Sequence, residues 1–584
     1  MTRLARALAL LCFALLVGGP TNESTAEPSF VGEYTHHAVA ADQAVASRAG
    51  HEILEAGGNA ADAAAATMLA LGVANPASSG MGGGGFLLYY RASDQTLTFL
   101  DFRERAPAAS TADMYDDVAE PLPGPANSAS QLHGLASGVP GEPAGVEAMV
   151  RRFGKLPLSR IVEPARRLAS EGVSVSEAVS RMSGYFAAHM KADPLMRTWF
   201  EGDAASLPVG QRLRQPELAR TLQAFGRGGS RAIYTGRIAR AIVRANNRFG
   251  GKMTLQDLAD YEVVERAPAS AERFGYRWVT APPPSAGGFT MLQSLAILEG
   301  LPERWRPMGE GPATAPLLHA LAESWKGPFL DRERYFGDPD HVELQLDRLM
   351  APERIRARAD AFHPTLAMPP EDYDFPLEPN EPDIVQSDNA GTSHLCVVDS
   401  EGNVAAVTTT VNLPFGARYT AAGMVMNDEM DDFARSVGEA NAFGLVGGAP
   451  NLPGPGKRPV STMSPTIILD GEGRPVLCAG AAGGSRIVTA IQQVVMNQLL
   501  LGMDVHDALA APRIHHQGHP NALRVEEFAP LPEALLDRLA ARGHEREPIR
   551  NVANVQTIRI VRTDDGVRLV AGSDPRKGGR PAGR

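Results

Sequence analysis

Apolar and small residues recur at helical spacing over Ala41–Ala56, and Gly57-Gly58 stop the run. Asn59 can cap the next stretch, which is Ala-rich to about Val73. Small residues on every side of it predict a helix packed closely all round. The period then changes. Gly82–Gly85 lead into the apolar run Phe86–Tyr90, and Thr96–Phe102 follows as a second strand. Helical patterns cover Glu142–Ser183, with mixed helix and loop to about Asn247. Tyr276–Thr280 reads as a strand ended by Pro282-Pro283-Pro284, and helices are predicted over Gly287–Leu298 and Pro316–Tyr335. Beyond residue 390 the pattern is mainly β. Thr392–Asp399 alternates, Ser400–Asn403 forms a turn, and Val404–Val411 is β-branched. Pro465–Asp470 and Val476–Ala479 are further strands, Gln492–Leu501 is a helix, and Asp564-Asp565-Gly566 joins Thr557–Arg562 to Val567–Ala571. The tail Lys577–Arg584 is expected to be disordered. This order argues for an α+β arrangement of mixed layers and against a parallel doubly wound sheet.

Three segments stand outside that pattern. Arg3 and Arg6 precede an apolar stretch, Ala7–Gly19, that is short for a bilayer span, and Ser24-Thr25-Ala26 offers small residues at a cleavage site. Residues 1–26 therefore read as a signal peptide; a membrane anchor is the alternative. The mature chain is expected to be exported, to the periplasm or outside the cell, without a stable membrane span. Pro364–Asn389 is rich in proline and acid and reads as an exposed loop that could be cut without damage to a core. Phe443–Pro455, with its glycines and prolines, has the composition of a mobile cover. Composition narrows the function. A formal net charge of −11 without a basic face argues against nucleic acid. Only Cys396 and Cys478 follow the leader; they read as small buried hydrophobes, and their pairing stays open.

The candidate chemistry sits where the acidic loop meets the first β run. A threonine hydroxyl is a weak nucleophile unless a base takes its proton. An N-terminal threonine carries its own base, an α-amine with an ordinary pKa near ~8. Gly391 before Thr392 suits a cleavage that would create such an end, because no Cβ bars the hydroxyl from the preceding carbonyl. With a turn at Ser400–Asn403, Thr392 pairs near Thr410 or Val411. Thr408, Thr410 and Asn412 share one face, and a one-residue choice of register decides whether Thr392 joins them. Plain β-propensity also accounts for Thr408–Thr410.

These residues resemble a known family. Thr392-Ser393-His394, Val397-Val398-Asp399, Gly402-Asn403 and Thr410-Val411-Asn412 are similar to the small-subunit start of the γ-glutamyltransferases, which are N-terminal-nucleophile hydrolases. Gly57–Ala60, Ser79-Gly80 with Gly82–Phe86, Asp101–Glu104, Pro282–Ser285, Met430–Phe433, Met463–Thr466, Gly483–Arg486 and Ser573–Arg576 fit in the same order, so the likeness covers nearly the whole mature chain. The resemblance implies a four-layer αββα sandwich. It also implies self-cleavage into a large subunit (27–391) and a small subunit (392–584) that stay together as a heterodimer, and glutathione or a related γ-glutamyl compound as substrate, with an amino acid or peptide as acceptor. No cofactor is implied. By the same likeness Thr392 is the nucleophile, Thr410 bonds its amine, and Gly483 and Gly484 form the oxyanion hole. Arg103, with Ser461 and Thr462, binds the α-carboxylate, and Glu429, Asp432 and Asn412 bind the α-ammonium. A γ-glutamyl end carries both charges, so a cation and an anion held close together suit it. Without the likeness, Arg103 reads as a surface ion pair with Asp101 or Glu104.

Other readings are weaker. Gly82–Gly85 lack a following Gly-Lys-Ser/Thr and lead into a strand, against a phosphate cradle. His515, His516 and His519 could ligate a metal, yet the family carries the paired histidines with no metal role, and no metal is expected. A glutaryl-cephalosporin-type acylase shares the ancestry, but a glutaryl chain has no ammonium for Asp432 and Glu429. An unprocessed binding protein would keep the fold and leave the chain whole. Leu413-Pro414 and Ala481-Ala482 depart from residues common in the family near the site, which bears on acceptor preference and rate.

Overall fold

Successive residues of the strand Gly391–Val398 face opposite layers, and this alternation divides the molecule. Cys396 and Val398 join an apolar cluster with Trp278, Ile467 and Leu477, whereas Leu395 and Val397 join another with the Ala-rich helix. The structure is a computed structural model that describes residues 29–116, 118, 128–306, 314–377, 391–437 and 447–584. The expected leader, residues 378–390 of the acidic loop and residues 443–446 at the start of the cover lie outside the described residues.

Two seven-stranded antiparallel sheets face each other. The first runs, in spatial order, Ala582–Gly583, Ala38–Ala41, Gly391–Val398, Val404–Asn412, Gly84–Arg91, Thr96–Phe102 and Val264–Arg266. The second runs Val31–Tyr34, Gly566–Ser573, Asn554–Thr563, Pro475–Ala482, Thr466–Leu469, Tyr276–Thr280 and Ala269–Arg273. Helices Ala44–Glu55, Ala60–Ala74 and Glu142–Phe153 cover the outer face of the first sheet; Gly287–Gly300 and Arg486–Leu499 cover the second, with Ala315–Tyr335 packed on Gly287–Gly300. The result is the expected α+β sandwich of four layers, αββα.

Local chemistry sets several boundaries. The Asn59 side chain accepts from the amides of Ala61 and Asp62, and Asp62 accepts from the Asn59 amide, a reciprocal cap on a helix buried at every position. The sheets approach closely where Gly480 faces His394: a Cβ on Gly480 would lie 2.1 Å from the imidazole. Beside that contact a Cys396–Cys478 disulfide joins the two sheets.

Three expectations need correction. Ala41 ends a buried strand instead of opening a helix, because Ala38–Ala41 pairs with Val398–Leu395. The helix expected from Gln492 begins at Arg486, directly after Gly483-Gly484. The tail is ordered: Ala582–Gly583 pairs with Val39–Ala38, and the Arg584 carbonyl accepts from the amides of Thr35 and His36. Gly579 lies so close to the Ala41 carbonyl that a Cβ would stand 2.3 Å from it, so the tail packs against the strand it pairs with.

Candidate active site

The pair Gly391–Val398 and Val404–Asn412 places the threonines. Ser393 opposes Thr409 and His394 opposes Thr408, with an irregularity before Ser393 and Gly391 opposite Asn412. This register puts Thr392 on the face of Thr408 and Thr410, and the Thr392 and Thr410 hydroxyl oxygens lie 3.2 Å apart. Both hydroxyls lie 2.8 Å from the Gly391 carbonyl oxygen as donors. Thr410 Oγ1 also accepts from the Asn412 amide at 2.8 Å, which fixes its lone pairs. Gly391 is tightly confined: a Cβ would come within 2.8 Å of the Asn412 carbonyl and 3.1 Å of that of Ala77. The demand for glycine comes from this crowding by neighbouring backbone.

One pocket brings together Thr392, Thr410, Asn412, Arg103, Glu429, Asp432, Ser461, Thr462 and Gly484. Gly483 adjoins it without lining it; its φ of 155° and its contact with Ala553, whose Cβ would be 2.6 Å from an added Cβ, leave no place for a side chain. Asn412, at φ 75°, donates from Nδ2 to the Asp428 carbonyl at 3.0 Å. Thr462 Oγ1 donates to the Gly484 carbonyl at 3.0 Å, and Ser461 Oγ accepts from the Met463 amide at 3.1 Å.

Arg103 is 1% exposed, so it is no surface ion pair. Its Nη1 meets Glu429 and its Nη2 meets Asp432; Nε and Nη2 also donate to the carbonyls of Pro459 and Val460 at 3.2 and 3.4 Å. Asp101 instead accepts from Arg266 Nε and from the Arg103 amide. Burial opposes the Arg103 charge, but the two acids outweigh it and raise its pKa. Burial pushes Glu429 up to about 7, with Asp432 adding to the rise and Arg103 opposing it. Asp432 is raised by burial against the pull of Arg103. Glu104 is held well above the carboxylate range, by burial and then by Glu429, with Arg103 opposing the rise. Cation and anions thus stand opposed within a buried site.

Two residues of the site escaped the sequence reading. Arg332, from the helix Ala315–Tyr335, lines the pocket; burial lowers its pKa to about 10 although Glu333 and Asp432 oppose the fall. Adjacent charges on an otherwise buried helix were its available signal. Lys577 Nζ donates to the Thr392 carbonyl at 2.6 Å, and nothing in the glycine-rich tail announced it. His515 and His516 do not converge on a ligand position. His515 bonds Thr489 Oγ1 and Gln517 Oε1, at 2.9 and 2.6 Å, and His516 bonds Asn521 Oδ1 at 3.2 Å. Gly82–Gly85 serve packing: added Cβ atoms would meet the carbonyls of Val425, Thr410, Phe102 and Thr408 within 2.5 Å.

An αββα sandwich with a threonine opening a central strand places the chain in the class of N-terminal-nucleophile hydrolases. Comparison with known proteins agrees. A family profile described as gamma-glutamyltranspeptidase matches residues 46–584. The chain is 37% identical over 543 residues to the glutathione hydrolase proenzyme of Escherichia coli, covering 92% of this chain and 90% of that one. It is 36% identical over 577 residues to the glutathione hydrolase proenzyme of Pseudomonas aeruginosa, covering 97% of each. Among solved structures, the cephalosporin acylase of Bacillus halodurans superposes with a TM-score of 0.79 at 25% identity, over 97% of this chain and 99% of that one. The gamma-glutamyltranspeptidase of Helicobacter pylori superposes with a TM-score of 0.51 at 32% identity, over 56% of this chain and 92% of that chain. The chain belongs to the γ-glutamyltranspeptidase family and is an enzyme of that family.

Proposed function

We propose that this chain is an exported, self-processing γ-glutamyltransferase and glutathione hydrolase. In the precursor, Thr392 Oγ1 attacks the Gly391 carbonyl carbon, and the peptide nitrogen departs as the new α-amine. The resulting ester at Oγ1 is hydrolysed, leaving a large subunit (27–391) and a small subunit (392–584) in one fold. Thr410, donating to the Gly391 carbonyl, stabilises the charge that develops there. In the mature site the α-amine takes the Oγ1 proton as Oγ1 bonds to the γ-carbonyl carbon of the donor. The amides of Gly483 and Gly484 hold the oxyanion. The proton passes to the leaving amine nitrogen as the C–N bond breaks, giving a γ-glutamyl ester that water or an acceptor amine releases. Arg103, assisted by Ser461 and Thr462, takes the α-carboxylate; Asp432, Glu429 and Asn412 take the α-ammonium. Export accords with a disulfide in the core, since such bonds persist in oxidising compartments. Among the described residues no helix is long and apolar enough to cross a membrane.

The observation that carries the reading is the meeting of Thr392 and Thr410 with an Arg103–Glu429–Asp432 clamp in one pocket. The acylase-like fold keeps a second reading open, hydrolysis of a glutaryl side chain. Such a substrate would leave both acids buried without a cationic partner once Arg103 turns to its carboxylate. Purified protein should run as two fragments on a denaturing gel, with Thr392 at the start of one, and should turn over γ-glutamyl-p-nitroanilide faster than its glutaryl analogue. A single full-length band removes the catalytic reading; faster glutaryl turnover selects the acylase.

A further inference from the structure

The C-terminal tail reaches the nucleophile. Its root is anchored where Asp574 accepts from the Val555 amide and from Arg513, and where Arg576 pairs with Glu526. Its end is paired with the edge strand Ala38–Ala41. Between these anchors Lys577 turns inward, 8% exposed. Its Nζ lies 2.6 Å from Asp42 Oδ2 and 2.6 Å from the Thr392 carbonyl oxygen. Asp42, fully buried, is held from its other side by Gln556 Nε2 at 2.8 Å. A lysine fixed at both ends of its contact, on the carbonyl of the residue that supplies both nucleophile and base, is more than a surface anchor.

We propose that Lys577 is a positioning residue for the nucleophile: its ammonium, braced by Asp42, orients Thr392 through its carbonyl and keeps the freed α-amine in the uncharged, proton-accepting form. The inference rests on the self-processing reading above. A protonated amine on Thr392 would stand within one residue's span of a second positive charge, and like charges disfavour ionisation. Asp42 offsets part of that field and is the ion-pair partner of Lys577 among the described residues. The other groups around Thr392 leave the sign unchanged. Thr410 is neutral, and burial lowers His394 to about 3, so its ring carries no charge. Across the pocket, Arg103 and Arg332 are opposed by Glu429 and Asp432. The assignment would tie three parts of the chain into one device: Asp42 from the large subunit, Thr392 from the new N-terminus, and Lys577 from the tail.

The test is the pH profile of kcat for γ-glutamyl-p-nitroanilide, because substrate already fills the clamp in that quantity and its acidic limb reports the base. Lys577→Met should move the limb upward by about one pH unit and lower kcat below it. Lys577→Arg should keep the native limb, and Asp42→Asn, which unmasks the lysine, should move it downward. Fragments on a denaturing gel and the thermal midpoint are recorded for each variant. A matured Lys577→Met protein with the native limb overturns the proposal, whatever its kcat. If Lys577→Met does not mature, Asp42→Asn decides: a downward limb supports the proposal and an unmoved one overturns it. Failure of both to mature assigns the pair to folding and also overturns it. A wild-type chain that neither splits nor turns over substrate refutes the function itself, and is recognised before any variant is read.

Discussion

Replacing Arg103 by methionine isolates the electrostatics of the clamp. The guanidinium is 1% exposed, joins Glu429 and Asp432 through its two Nη atoms, and satisfies the carbonyls of Pro459 and Val460. Methionine fills most of the volume and removes every one of those donors. Breaking a buried ion pair by removing one partner costs about 3–5 kcal/mol, and here two acids lose one cation. Proton uptake limits the damage. Glu429 lies near 7 even with Arg103 present, and without it both acids are raised further above their unfolded values. A carboxyl raised in the folded state destabilises when ionised, so the folded variant binds more protons than the unfolded chain. Its stability therefore recovers as pH falls, by up to about 1.4 kcal/mol per pH unit for each acid being neutralised. The assay is the thermal midpoint of Arg103→Met and wild type at about pH 8 and about pH 5.5, a range that spans the titration. The gap between them should be several degrees at the higher pH and clearly smaller at the lower. Adding Glu429→Gln and Asp432→Asn should close most of the gap at the higher pH, because neutral amides cost less to bury. A gap that stays constant or widens on acidification refutes the account of the acids as the source of the loss.

The remaining expectations concern separate elements. In the wild type, kcat/KM for a γ-glutamyl donor should fall below pH 7, as Glu429, held near that value by burial, takes a proton and loses its hold on the substrate ammonium; Glu429→Gln should remove that contribution and leave only the fall due to protonation of the α-amine. Thr410→Val should slow appearance of the two fragments by about a hundred- to a thousandfold, the range for losing one donor to a developing oxyanion, as followed by gel against time. Cys396→Ala should lower stability by about 2–5 kcal/mol, since the disulfide closes a separation of 82 residues across the two sheets; a thermal midpoint equal to wild type under oxidising conditions would show that the link is dispensable.

Some of this molecule could be read along the chain because its causes are local. Asn59 caps the helix it precedes, and the turn at Ser400–Asn403 sets a hairpin whose alternation brings Thr392 to Thr410. The clamp was legible only through likeness to a family, since Arg103, just past a strand of the first sheet, lies 326 and 329 residues from Glu429 and Asp432, which it meets on a short turn. Pairing of Cys396 with Cys478 stayed open in the sequence: each is a small apolar position in its own strand, and only the facing of the sheets brings the sulfurs together. The tail failed for the opposite reason. Its glycines and charges have the composition of a solvated end, yet Gly579 packs on backbone, Ala582–Gly583 completes a sheet edge, and the Lys577 charge is matched by Asp42. Composition measures whether a segment can build a core of its own. It does not measure whether a finished core leaves an open edge for that segment to occupy. In this fold the open edge lies beside the strand that carries Thr392, the proposed nucleophile, so a short polar tail gains order and a place next to the candidate site from the same pairing.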